Sequence, residues 1–202
     1  VVMIWGTRLK SGFDQLPVSG ADYLDWKKQA TSFDYMAAAF AIPEYGLNVS
    51  GAGDPERVAA ATASKEFLPA LGIKPIAGRN FLPEEDVPGG PPAVLISNAF
   101  WQRRFHADPS AVGRALTVDG VPRTVVGVVP HELGEMIAAD LWLPTAIDPN
   151  SSQRRSNNFG IVAHLKRGVS VEQARAEMAV IAQRLEKAYP ATNSGMGTTL
   201  FP

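Results

Sequence analysis

Residues 159–201 read FGIVAHLKRGVSVEQARAEMAVIAQRLEKAYPATNSGMGTTLF, and this stretch sets the fold class. Phe159–Leu165 is a strand, and Gly168-Val169 turns the chain. Ser170 and Gln173 then form a capping box, after which Val171, Ala174, Met178, Ile181, Leu185 and Ala188 recur at three- and four-residue spacing. One stripe of this helix is therefore apolar and has to lie on a sheet. Pro190 ends the helix, and Thr198–Phe201 opens a further strand. The N-terminal side mirrors this arrangement. Val1–Trp5 is β-prone, Gly6–Pro17 is polar enough to be a loop, and Ser19 caps a helix whose first turn holds Asp22 and whose apolar face carries Tyr23, Trp26 and Ala30.

Between these ends the signals change. Ser32 can cap a second helical turn carrying Phe33, Met36 and Ala37, and Ala38–Val49 reads as extended chain broken at Pro43. The turn Gly51-Ala52-Gly53-Asp54-Pro55 closes a hairpin onto Arg57–Ala63, and Lys65–Leu71 is a short helix stopped by Gly72. The segment Pro75–Phe81 is too broken for a long element, and the loop Pro88–Pro92 marks a change of unit. Ala93–Ile96 is an apolar strand, and Ser97 caps a helix with Phe100, Trp101 and Phe105. Asp108-Pro109 then starts a turn that stops at Gly113. Leu116–Val118, Asp119-Gly120 and Val121–Val129 give the strongest hairpin signal, because Asp-Gly takes the positive φ angles of a type I′ turn. Asp140–Pro144 is a last short strand of the middle, and Asp148–Asn158 a polar, mobile loop. The predicted class is α+β: a discontinuous α/β sandwich from residues 1–78 and 148–202, with a mixed α+β unit, 79–147, inserted between its halves.

Composition removes several functions. Lys and Arg number 19 against 20 Asp and Glu, so no basic field exists to displace counterions from nucleic acid. The absence of Cys excludes disulfides, thiolate zinc sites and Cys nucleophiles, and it fits an oxidising compartment. The longest apolar run, Met36–Ile42, falls far short of the roughly 18 residues of a membrane-spanning helix. The apolar start without Met and the strand that opens at the very end are read as the two cut edges of a longer protein.

The residue types that carry chemistry lack the spacing it needs. No G-x-S-x-G elbow occurs, and His106, His131 and His164 have no context that presents a base to a serine. His131 and Glu135 would share a helical face, but Pro130 and Gly134 disfavour a helix there. Glu84-Glu85-Asp86 lacks the alternating spacing and central Gly of a calcium loop and reads as a solvated acidic turn. Gly51-Ala52-Gly53 and Gly89-Gly90 are turns, since no Gly-Lys-Ser/Thr follows either. In Trp101-Gln102-Arg103-Arg104-Phe105 the aromatic residues pack inward while both arginines stay solvated. The sequence predicts no catalytic residue, no cofactor and no metal site.

An ordered series of short motifs runs from Pro17 to the end. It comprises Asp22-Tyr23-Leu24-Asp25-Trp26, Ser32-Phe33, Leu47-Asn48-Val49, Pro55-Glu56-Arg57-Val58, Phe67–Pro75, Gly78-Arg79-Asn80-Phe81 and Glu84-Glu85-Asp86. It continues through Val94–Ser97, Trp101–Phe105, Val112-Gly113-Arg114, Asp119-Gly120, Val125–Val128, Asp140–Pro144 and Leu165–Ser170, departing at Lys65-Glu66 and His131–Ala139. This series resembles the MacB-like periplasmic core domain of bacterial ABC-transporter permeases of the MacB/FtsX type, in particular permeases assigned as macrolide-type or antimicrobial-peptide-type exporters. The resemblance implies a non-catalytic domain facing the periplasm from the inner membrane, with a porter-like discontinuous unit and a sabre-like inserted one. It further implies coupling of cytoplasmic ATP hydrolysis to efflux. The implied partners are the membrane helices of the same chain, a second permease subunit, a cytoplasmic ATP-binding subunit and a periplasmic adaptor or lipoprotein. Away from its membrane helices the domain is expected to be monomeric, because tethering supplies the effective concentration that solution lacks. The competing readings are a soluble periplasmic ligand- or protein-binding module and an enzyme with titratable residues clustered in a cleft.

Overall fold

Alternation along the chain is resolved into twelve strands and six α-helices in a computed structural model that describes residues 1–51 and 53–202, with backbone alone for 41–45. β1 (Val2–Arg8) turns through Leu9–Ser11 into β2 (Phe13–Leu16) and β3 (Val18–Ser19), followed by α1 (Gly20–Gln29) and β4 (Phe33–Ser50). Next come β5 (Glu56–Ala63), α2 (Phe67–Leu71), β6 (Ala77–Gly78), β7 (Ala93–Ser97), α3 (Asn98–Phe105) and β8 (Ala115–Val118). β9 (Val121–Val129), α4 (His131–Met136) and β10 (Leu141–Pro144) precede β11 (Asn157–Leu165), α5 (Val171–Ala188), α6 (Pro190–Asn193) and β12 (Gly197–Phe201). The chain forms two compact units, Val1–Ala39 with Ile147–Pro202, and Phe40–Ala146.

In the discontinuous unit the strands run β12-β1-β11-β4, all antiparallel. Ile4 stands opposite both Leu200 and Ile161, so inward residues line up across three strands. Onto Ile4, Met36, Ala38, Ile161, Ala163 and Leu200 pack Tyr23 and Trp26 of α1 and Ala174, Met178, Ile181 and Leu185 of α5. The predicted stripe of α5 is buried from Ala174 to Leu185, while its first member, Val171, is half-buried and its last, Ala188, is exposed. Met178, Ile181 and Leu185, at 0%, 1% and 4% exposure, each contribute about 1.5–3 kcal/mol of burial free energy. The Ser170–Gln173 capping box is present in full.

Two predictions fail here for the same reason. Phe33–Ala37 is strand, with Phe33 opposite Leu165 and Met36 opposite Ala163, and Gly6–Pro17 is a hairpin in which Gly6 pairs with Leu16 and Arg8 with Phe13. A short run whose pairing lies on a distant strand, or most of whose residues are exposed as in β2, carries no periodicity to read. β4 also continues through Pro43 as extended backbone without the predicted break.

In the inserted unit the order is β4-β5-β10-β7-β9-β6, with β8 pairing both β4 and β9. β5 and β10 are parallel, as are β7 and β9. α3 sets Phe100 and Phe105 against Val94, Ile96, Val125 and Val128 on one face. Phe67 of α2 stacks on Trp142 at 5.5 Å, and Leu133 of α4 lies with Leu95, Val129 and Trp142, the alternate residues of the same strands. The predicted type I′ turn is present, with φ of 46° at Asp119 and 80° at Gly120. The Asp119 side chain further ties the turn to β4, accepting from the Asn48 backbone N–H at 2.8 Å.

The compact units change at Ala39/Phe40 and Ala146/Ile147, whereas the sequence places its boundaries at 78/79 and 147/148. Pro and Gly mark loops, but the first change of unit falls inside β4, one long strand with no compositional break. Ala52, in the predicted Gly51-Ala52-Gly53 turn, lies outside the described residues.

Candidate functional site

The discontinuous unit contains a cavity of about 550 Å³ bounded by α1, the segment 149–154 and the junction of α5 with α6. Its wall is organised by one arginine. The Ser19 hydroxyl accepts from the Asp22 backbone N–H at 3.1 Å and donates to Asp22 Oδ2 at 2.7 Å, which fixes the first turn of α1. Asp22 and Asp25, three residues apart, then face the same way. Arg154 donates to Asp22 Oδ1 at 2.7 Å and to Asp25 Oδ2 at 2.5 Å, and its guanidinium lies over the Tyr189 ring, 3.5 Å from the centroid. Asn193 of α6 donates to Asp22 Oδ1 at 2.9 Å. Burial alone would lower the Arg154 pKa; hydrogen bonds to Asp25 and Asp22 outweigh it and hold the group above its ordinary value. Both arms of the guanidinium fork are thus occupied and one of its faces is covered by Tyr189, and Arg154 clamps the polar segment after residue 148 onto α1 and α6. Nothing in the sequence near Arg154 marks this role, since its carboxylate partners lie 132 and 129 residues away.

The residues singled out by sequence are placed separately. His164 stands on β11 opposite Tyr35, His106 caps the C-terminal end of α3 with φ of 52°, and His131 opens α4. Residues 131–136 do form a helix despite Pro130 and Gly134: proline supplies the extended N-cap residue, where no N–H is required, and Gly134 costs only part of a short helix's stability. His131 Nε2 and Glu135 Oε1 are 3.5 Å apart, with side chains 71% and 69% exposed. Among the described residues no three His, Asp or Glu side chains converge as metal ligands.

The acidic turn is not solvated as predicted. Glu85 is buried, receives both Arg79 Nη atoms at 2.8 and 2.7 Å, and accepts from the Leu82 N–H at 2.8 Å. Asp86 accepts from the backbone N–H groups of Lys65 and Ala146, both at 2.9 Å. The hydrogen bond from Arg79 lowers the Glu85 pKa, and burial raises that of Asp86. These carboxylates are spent on backbone and arginine. The α3 arginines are paired as well: Arg103 contacts Asp140 at 3.1 Å and Glu56 at 3.5 Å, and Arg104, only 12% exposed, contacts Glu56 at 3.3 Å.

A strand order with an inserted unit, and motifs spent on packing, can be compared with known proteins. The sequence pattern of the MacB-like periplasmic core domain matches residues 1–181. The chain belongs to this family. A search of curated protein sequences finds no match. Among solved structures, a domain assigned to a permease protein of Porphyromonas gingivalis is 18% identical with a TM-score of 0.69, the match covering 100% of this chain and 87% of that one. The periplasmic region of MacB from Actinobacillus actinomycetemcomitans is 12% identical with a TM-score of 0.67, over 99% and 87%. The extracellular domain of the noncanonic ABC-type transporter YknZ from Gram-positive bacteria is 14% identical with a TM-score of 0.63, over 98% of each chain. At these identities the likeness is one of fold.

In this MacB-like domain the motifs that carried the resemblance are structural devices. Gly72 ends α2 in the left-handed region at φ 70°, Arg79 and Glu85 lock the loop after β6, and Trp101 Nε1 donates to the Asp108 carbonyl at 2.9 Å. Trp142 is 1% exposed beneath Phe67. The MacB-like motif set therefore records how the domain is held together.

Proposed function

We propose that this MacB-like domain is the extracytoplasmic part of an ABC-transporter permease subunit, held between two membrane helices of its chain. The family match over residues 1–181 carries this reading. The chain ends are in keeping with it: Met3 pairs with Phe201 on adjacent antiparallel strands, so both ends leave the discontinuous unit on the same side. No helix among the described residues is long and apolar enough to cross a membrane. The discontinuous unit is the porter-like part and the inserted unit the sabre-like part. ATP is hydrolysed by a separate cytoplasmic subunit or domain, and two permease copies carry that motion to the periplasmic side, where substrate is expelled. An adaptor or lipoprotein completes the path.

Three tests bear on this. In the full-length gene, apolar spans are expected directly before Val1 and after Pro202; the absence of either refutes the assignment. Cysteine placed at Leu9, which is 71% exposed, should react with a membrane-impermeant maleimide in cells whose outer membrane alone is permeable. Labelling only after lysis would put the domain on the wrong side. Replacing residues 1–202 by a flexible linker is expected to leave ATP hydrolysis and abolish export; export that survives removes the coupling role.

A further inference from the structure

The inserted unit holds a second cavity, placed by topology. Ser97 at the end of β7 stands level with Val129 at the end of β9, and the two strands are parallel. After Ser97 the chain enters α3, which packs through Phe100 with Val94, Ile96 and Val128; after Val129 it enters α4, which packs through Leu133 beside Leu95 and Trp142. The two helices therefore cover opposite faces of the sheet. Neighbouring parallel strands whose helices part to opposite faces leave a crevice outside their carboxyl ends, and open α/β sheets bind ligands there. The crevice here measures about 310 Å³, within the range of small-molecule sites.

Its chemistry is specific. Four alanines line the crevice, Ala139 buried and Ala59, Ala99 and Ala138 exposed, and they offer apolar contact and no side-chain hydrogen bond. The polar wall carries Glu135 and Asp140. Asp140 Oδ2 already accepts from Arg103 at 3.1 Å, while among the described residues the ion partner of Glu135 is the exposed His131 ring at 3.5 Å. Arg103 and Arg104 are paired with Glu56 and Asp140, whereas Glu135 meets neither guanidinium, so its charge is left over beside the alanines. An apolar trough ending in an uncompensated carboxylate matches a linear methylene stem that ends in a cation.

We infer that this crevice binds a primary ammonium on an unbranched alkyl stem, the stem lying along the lining alanines and the ammonium meeting Glu135 beside Asp140. A lysine side chain of a bound polypeptide and a free alkylamine share this chemistry. The inference is independent of the transporter reading. It is tested on the ¹⁵N-labelled chain by following backbone amide shifts of Asn98, Ala99, Gly134 and Ala138. The probes are Nα-acetyl-lysine-N-methylamide, n-pentylamine and the uncharged norleucine analogue, at constant ionic strength. Both amines are expected to move the crevice amides with Kd on the order of 1 mM, and the norleucine analogue to leave them in place. Tighter binding of the lysine amide points to a polypeptide source, and equal or tighter binding of pentylamine to a free amine. Glu135→Gln is expected to weaken binding about fivefold, the worth of one exposed ion pair. Ala138→Leu, at an exposed position, fills the trough and abolishes binding while the unfolding midpoint stays unchanged. Absence of shifts with both amines, equal shifts with the norleucine analogue, or full affinity in Glu135→Gln would overturn the inference.

Discussion

Replacing Arg154 with methionine deletes the guanidinium and keeps a stem able to cover Tyr189. Its side chain is 10% exposed, and those of Asp22 and Asp25 are 7% and 26% exposed. Stranding a partner of a buried ion pair costs about 3–5 kcal/mol when that partner has no other support. Here Asp22 keeps the Ser19 hydroxyl and the Asn193 amide, and Asp25 is open enough for water to replace the lost donor. The loss should fall at the lower end, about 3 kcal/mol. With a urea m-value of about 2 kcal/mol/M, that moves the unfolding midpoint of the discontinuous unit down by about 1.5 M. Arg155→Met serves as the control, because Arg155 is exposed and donates to the Ala191 carbonyl at a long 3.5 Å, and it should stay within about 0.5 kcal/mol. Hydrogen exchange of α1 and α5 amides, read beside urea unfolding, assigns the loss to this unit. If Arg154→Met costs less than about 0.5 kcal/mol, the clamp behaves as an exposed salt bridge and the reasoning is refuted.

Glu85 gives a pH signature. Its folded pKa lies below the ordinary 4.5 because Arg79 donates to it, so its contribution is present above that value and lost as pH falls through the folded pKa. Urea midpoints of the wild type should drop between about pH 5 and 3, and Glu85→Gln should flatten that drop; an unchanged slope would sink the assignment. Asp86, raised by burial, works with the opposite sign, its contribution fading as pH rises through its folded pKa. Ser170→Ala removes the capping box of α5 and should cost about 1 kcal/mol in thermal or urea unfolding. Gly127→Ala would place Cβ 2.3 Å from the Arg79 carbonyl and is expected to part β6 from β9 at a cost of about 3 kcal/mol, visible as lost soluble yield and a lower midpoint. Gly134→Ala meets nothing within 4 Å on α4 and should stabilise by about 0.5–1 kcal/mol.

Local signals in the chain were read correctly where each residue's neighbours lie a few positions away. Ser19 with Asp22, Ser170 with Gln173, and Asp119-Gly120 all appear as caps or turns in the structure. The helix stripe of α5 was legible because one helix face repeats every three to four residues. The errors cluster where a short segment takes its conformation from a distant partner. Phe33–Ala37 carries an apolar spacing that suits a helical turn as well as a strand, and only pairing with Ala163 and Val162 decides for the strand. Glu85 and Arg104 read as solvated charges because their partners, Arg79 across a loop and Glu56 on another element, are invisible to local spacing.

The sequence by itself determined an α+β chain with an inserted unit, an ordered motif set of the MacB-like kind and a balanced charge, because caps, turns and helix stripes act over short range. The tertiary structure alone decided where β4 passes between units, which carboxylates Arg154 joins, and that β7 and β9 part into helices on opposite faces. Those features depend on contacts across 32 to 132 residues, such as Ser97 with Val129 and Asp22 with Arg154, and no local rule of spacing encodes a partner that far along the chain.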